Sequence, residues 1–434
     1  MKDISASRRR RRAVAVVAGL AAAVVAVTAG AVAFWPSGRP AAVVHLQQDT
    51  ASPPPTPFAQ VVAILDHQAA ALLAGDERGW LAPVDPKRPA LLKRYRGIFR
   101  NLRGLDVRHV EYHAFERQDG KPGAVTANAV LGYCLGGGAC PGWRSEFDQG
   151  PPKTTQLVTF EMIGGRYTIT DLAAGMGAGG NKVQAAPWDG DELIIARGKR
   201  VTVAAPRSQK KNVRTVLAAA EKAAVVADGF AAYVNNPQPH YRVYLADDRA
   251  WHSWYGGRRP TWFIGYQLRL NASGADVVLR AGKVLKSRRQ LAFTVQHELG
   301  HVVTLSGTTK ERSEHQWLSE GIAEYIGAYP RKLATTGNWD VVAAEFRRRD
   351  APVTIATTSL TGAADDRTVD RLYAMGHFAA TCMAEKYGQR KLFAFTDGVL
   401  RRGERIDKAA RAAYGRSFDT VDKACVTWIR AKVT

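Results

Sequence analysis

Cysteine is scarce in this chain, acidic residues are outnumbered, and no internal repeat is visible. Only Cys134, Cys140, Cys382 and Cys425 occur in 434 residues, and no two of them stand at C-x-x-C spacing. That argues against a Cys₄ zinc site. An even number fits two disulfides, and the expected pairs are Cys134 with Cys140 and Cys382 with Cys425. Buried free thiols are the other reading of the second pair. Asp and Glu number 39 against 61 Lys and Arg, a formal net charge of +22. Such an excess favours anionic partners, such as lipid headgroups or acidic envelope polymers. No basic run is interleaved with aromatics and no nucleic-acid motif occurs, so nucleic acid is not expected.

Charge is missing altogether from 13–35, directly after the basic tail 1–12 with its Arg8–Arg12 run. At about 1.5 Å per residue this stretch is long enough for a transmembrane helix. The arginines would hold the amino terminus in the cytoplasm and send the remainder outward. A signal peptide cleaved near Ala31-Val32-Ala33, giving a secreted protein, is the rival reading. Residues 36–57, with Ser52-Pro53-Pro54-Pro55-Thr56-Pro57, read as a semi-rigid linker.

The expected fold class is α+β in two units. In 58–185, helical spacing from Phe58 to Leu73 and again over 91–102 gives way to alternating strands. These are Val125 to Tyr133, Val158 to Met162, and Tyr167 with Ile169. Helices followed by a strand meander resemble nuclear transport factor 2-like domains, many of which only bind or scaffold. Glycine and alanine over 173–187 suggest a linker. In 188–434, a hairpin around Arg197-Gly198-Lys199-Arg200 precedes an alanine-rich helix over 211–233. Strands at 241–245, 262–266 and 277–279 follow. The expected helices then run over 287–305, 316–328, 369–387, 391–400 and, in two pieces, 404–432.

The chemistry concentrates at His297-Glu298-Leu299-Gly300-His301. Residues four apart share one face of a helix, so both imidazoles can meet one zinc ion, with Glu298 alongside as a general base. A hydrolytic zinc site takes three protein ligands and leaves a place for water. Glu320 is the expected third ligand, because it follows on a helix after a loop that can fold back.

H-E-x-x-H followed by 18 residues and a glutamate is similar to the gluzincin arrangement of the M1 aminopeptidases and the broader peptidase MA-like families. Trp317-Leu318-Ser319-Glu320-Gly321-Ile322-Ala323-Glu324-Tyr325 resembles their W-L-x-E-G-x-A-E-Y signature. The resemblance implies one Zn²⁺ on His297, His301 and Glu320, with Glu298 as the base that deprotonates a zinc-activated water. It implies that Glu324 hydrogen-bonds a ligand histidine, and that Tyr373, or His377 one turn on, donates to the oxyanion. The aminopeptidases carry G-x-M-E-N before this motif, whose glutamate holds the substrate's free amine. Here 265–282 contains no glutamate and only Asp276 as an acid. The expected activity is therefore a membrane-anchored, extracytoplasmic zinc metallopeptidase with a peptide or protein substrate, an endopeptidase rather than an aminopeptidase. A non-catalytic envelope-binding protein on the same scaffold, or a zinc amidase acting on a wall component, are the alternatives.

Overall fold

The computed structural model describes residues 55–118, 122–138, 140–145, 149–175, 185–256, 260–271, 274–305 and 313–434. The expected membrane segment 13–35 lies outside the described residues, as does most of the linker 36–57. The described part is α+β, and Pro54–Thr434 forms one compact unit.

Three helices open it: α1 (Pro57–Ala74), α2 (Glu77–Leu81) and α3 (Pro89–Gly104). Thr56 caps α1 through its hydroxyl, which accepts from the Ala59 amide at 3.1 Å, and Pro57 supplies a fixed φ in the first turn. By length and composition α1 could cross a membrane. Its Val61, Leu65 and Leu72 are instead buried in a protein core, which marks it as a core helix. An antiparallel meander follows: β1 (Val107–Glu116), β2 (Ala124–Leu135), β3 (Lys153–Ile163) and β4 (Arg166–Ala174). The inward row Ala127, Ala129, Leu131 and Tyr133 packs on the helices. Cys134 at the end of β2 is joined to Cys140 in a disulfide.

The second sheet has strand order β5-β6-β7-β9-β8. β5 (Ile194–Arg197) and β6 (Val201–Ala205) form the expected hairpin. A crossover through α4 (Val213–Ala231) brings β7 (Tyr241–Ala246) parallel to β6. After α5 (Asp248–Ser253), β8 (Gly265–Arg269) lies at the edge, antiparallel to β9 (Ala275–Arg280), and β9 runs parallel to β7. The inner strands β6, β7 and β9 are covered on both faces and are mostly buried along their length. Val243, Leu245, Val277 and Leu279 enter the core shared with the helices that follow. Tyr244, Ala246 and Val278 enter the core of the meander unit. Trp188, where the second unit was expected to begin, is fully buried, with its ring 5.0 Å from that of Tyr133.

The helical lobe comprises α6 (Ala281–Val284), α7 (Arg288–Leu305), α8 (Gln316–Ala328), α9 (Asn338–Phe346), α10 (Asp366–Tyr387), α11 (Gln389–Thr396), α12 (Ile406–Tyr414) and α13 (Phe418–Val433). A disulfide between Cys382 and Cys425, both fully buried, ties α10 to α13. Both disulfides follow the expected pairing.

Candidate metal centre

The Ser287 hydroxyl starts α7 by accepting from the Gln290 amide at 3.0 Å. One turn apart on that helix, His297 and His301 are both buried, with ring centroids 4.8 Å apart and planes at 79°. Glu320 reaches them from the first half of α8. Its Oε2 lies 3.3 Å from His297 Nε2 and 3.1 Å from His301 Nε2. The candidate ligand atoms of all three residues lie within 4.8 Å of one another. Two imidazole nitrogens and a carboxylate oxygen converge at a spacing that only protons or a cation between them make favourable. This donor set fits a divalent metal ion such as zinc.

Electrostatics point the same way. Burial acts to depress the pKa of both histidines, but Glu320, joined at His297 by Glu324, outweighs it and raises both. Burial would raise Glu320, yet the two histidines hold it well below the ordinary carboxylate range. Glu298, one residue along from His297, has its pKa raised by burial. The Gln267 backbone N–H on edge strand β8 donates to its carboxylate, while Oε2 has no partner among the described residues. β8 approaches closely because position 265 has no side chain. A Cβ on Gly265 would stand 2.8 Å from Glu298 Oε1.

A cleft of about 680 Å³ opens onto this group, lined by His297, Glu298, Glu324 and Tyr373 among others. The Tyr373 ring lies 5.9 Å from that of His297. Burial and then the charges of Glu320, Glu298 and Glu324 push its pKa well above the ordinary phenol value, which keeps it a proton donor. His377, the alternative donor, does not line this cleft. It lines a separate groove, and burial pushes its pKa down to about 4.

Between the cleft and His377 stands Asn338, which sequence reasoning missed. Its Nδ2 donates to Glu324 Oε2 at 2.7 Å and lies 2.9 Å from His377 Nδ1. Glu324 Oε1 in turn lies 3.2 Å from His297 Nδ1. A chain of polar contacts thus runs His377–Asn338–Glu324–His297 and orients the imidazole whose other nitrogen faces Glu320. Gly337 ahead of Asn338 was the one local signal for a helix start there.

The structure brings together His297, Glu298, His301, Glu320, Glu324 and Tyr373. The four cysteines lie elsewhere, in the disulfides. No family model matches the chain, and no curated protein matches it.

Proposed function

We propose that this protein is a zinc metallopeptidase of the gluzincin kind, hydrolysing internal peptide bonds of an extended substrate. The observation that carries the reading is the convergence of His297, His301 and Glu320 beside a buried Glu298 that lines the same cleft and whose Oε2 has no hydrogen-bond partner among the described residues. His297, His301 and Glu320 would hold the ion. When bound, zinc supplies a Lewis acid that lowers the pKa of water into the neutral range.

The remaining roles fall to the chain's own side chains. Glu298 Oε2 accepts the proton of the attacking water and returns it to the leaving amine. Burial raises its pKa above the ordinary carboxylate value, which makes it a stronger base for that transfer. The Tyr373 hydroxyl donates to the oxyanion that develops on the scissile carbonyl. Glu324 and Asn338 fix the His297 ring, and the Gln267 amide fixes Glu298. An exposed, extracytoplasmic setting agrees with two disulfides, and anchoring through 13–35 completes the proposal.

The test is metal content and peptide cleavage of the unsubstituted chain against Glu298→Gln. The substituted chain should retain one zinc per molecule and lose cleavage by at least about a hundredfold. An unsubstituted chain that binds no zinc, or cleaves nothing in a broad peptide library, overturns the reading.

A further inference from the structure

The cleft runs from the metal-ligand group towards the amino end of α7, where Arg289 and Arg331 line it. Arg289 Nη2 donates to the Thr335 carbonyl at 2.8 Å, and Arg331 Nε donates to the Ala328 carbonyl at 3.3 Å. The Arg331 guanidinium also lies 5.4 Å from the centre of the Phe293 ring. These partners are neutral, and neither arginine has a carboxylate at ion-pair distance among the described residues. Burial, and then the charge of Arg289, lower the Arg331 pKa against a smaller opposing effect of Glu324, so the two guanidiniums lie within one field.

The acids nearby do not offset that field by pairing. Glu324 is engaged by His297 and Asn338, and Asp370, which also lines the cleft, pairs with neither arginine. The first turn of α7 holds Arg288 and Arg289 and no acidic residue. That is the opposite of what the helix dipole favours.

We propose that this end of the cleft is a subsite for a carboxylate of the peptide substrate, either an Asp or Glu side chain or the chain terminus. Arg289 and Arg331 select it, and Phe293 packs against the apolar stem. The inference rests on the peptidase reading above and names its substrate class.

The test measures binding without turnover, using the full-length chain carrying Glu298→Gln and fluorescently labelled heptapeptides followed by anisotropy. One peptide has internal glutamates and an amidated end, one has glutamines and an amidated end, and one has glutamines and a free carboxyl end. At least one of the acidic peptides should bind about tenfold tighter than the neutral one. Which of them gains separates side chain from terminus. Arg289→Gln with Arg331→Gln should remove the preference. So should much of it vanish in Arg289→Gln alone, whose exposed side chain makes the substitution safe for folding. Lys408→Gln with Lys423→Gln removes two exposed cations elsewhere and should leave the preference intact. Equal affinities for all three peptides overturn the inference. A preference that survives both arginine variants, or that the lysine pair abolishes, does so too, because it then belongs to the overall positive charge. Zinc content and cleavage of the neutral peptide by the unsubstituted chain are read alongside. Cleavage without a charge preference sinks the subsite alone; a preference without zinc or cleavage sinks the peptidase reading.

Discussion

Gly321 of α8 and Gly376 of α10 meet backbone to backbone. A Cβ on Gly321 would stand 2.5 Å from the Gly376 carbonyl oxygen, and one on Gly376 would stand 2.6 Å from that of Trp317. Both contacts are to backbone, which cannot swing aside as a side chain would. The crossing sits next to Glu320 on one helix and one turn from Tyr373 on the other. Gly376→Ala should therefore cost about 1–3 kcal/mol or more through overpacking, and should also weaken zinc binding by displacing Glu320. Chemical denaturation and zinc competition titration check the two effects. Unchanged stability would mean that the helices separate freely.

Asn338 reaches the candidate ligand His297 through Glu324. Asn338→Ala should lower zinc affinity by about tenfold or more, as loss of a partner behind a ligand histidine commonly does. Stability of the metal-free chain should fall far less, since the side chain fills little of the core. An affinity equal to the unsubstituted chain would remove Asn338 from the site.

The metal-free site has a defined pH response. His297 and His301 have raised pKa values in the folded chain, so their contribution is fully present below the ordinary value of 6.5 and is lost as pH rises through the raised values. Glu320 is depressed, so its contribution is present above the ordinary 4.5 and is lost only as pH falls through the depressed value. Metal-free protein should thus lose stability on the alkaline side of neutrality. Zinc must displace the histidine protons, so its affinity should rise with pH over the same window. Thermal unfolding with and without chelator, across the neutral and mildly alkaline range, shows whether the two curves diverge with that sign.

The two disulfides should contribute unequally. Cys382 and Cys425 are separated by 43 residues, Cys134 and Cys140 by 6. Loop entropy gives about 4 kcal/mol for the first and about 2 kcal/mol for the second. Replacing each pair by alanine and comparing denaturation midpoints tests the order. A larger loss from the shorter loop would show that packing, rather than loop closure, governs both.

The half that carries the candidate metal centre was legible because its signals are local. The helices at 287–305 and 316–328 agree with α7 and α8 to within a residue, since the motif itself demands helical spacing. β1 was not foreseen. Val107-Arg108-His109-Val110-Glu111-Tyr112 mixes charge into both faces, and the strand exists because β2 pairs with it along its length. α9 is only nine residues long, and its worth lies in where α10 holds it, which no local pattern records. Arg289 and Arg331 stand 42 positions apart in the sequence and meet only across the folded cleft.

The sheet that carries β6, β7 and β9 has consequences for how the protein can be processed. Tyr244, Ala246 and Val278 face the meander unit and Val243, Leu245 and Val277 face the helical lobe, so removing either half bares one apolar face of the sheet to solvent. A cut ahead of Pro57, in the proline-rich stretch, leaves the sheet clothed on both sides. A chain trimmed to 188–434 would carry an apolar sheet face into solvent and would aggregate.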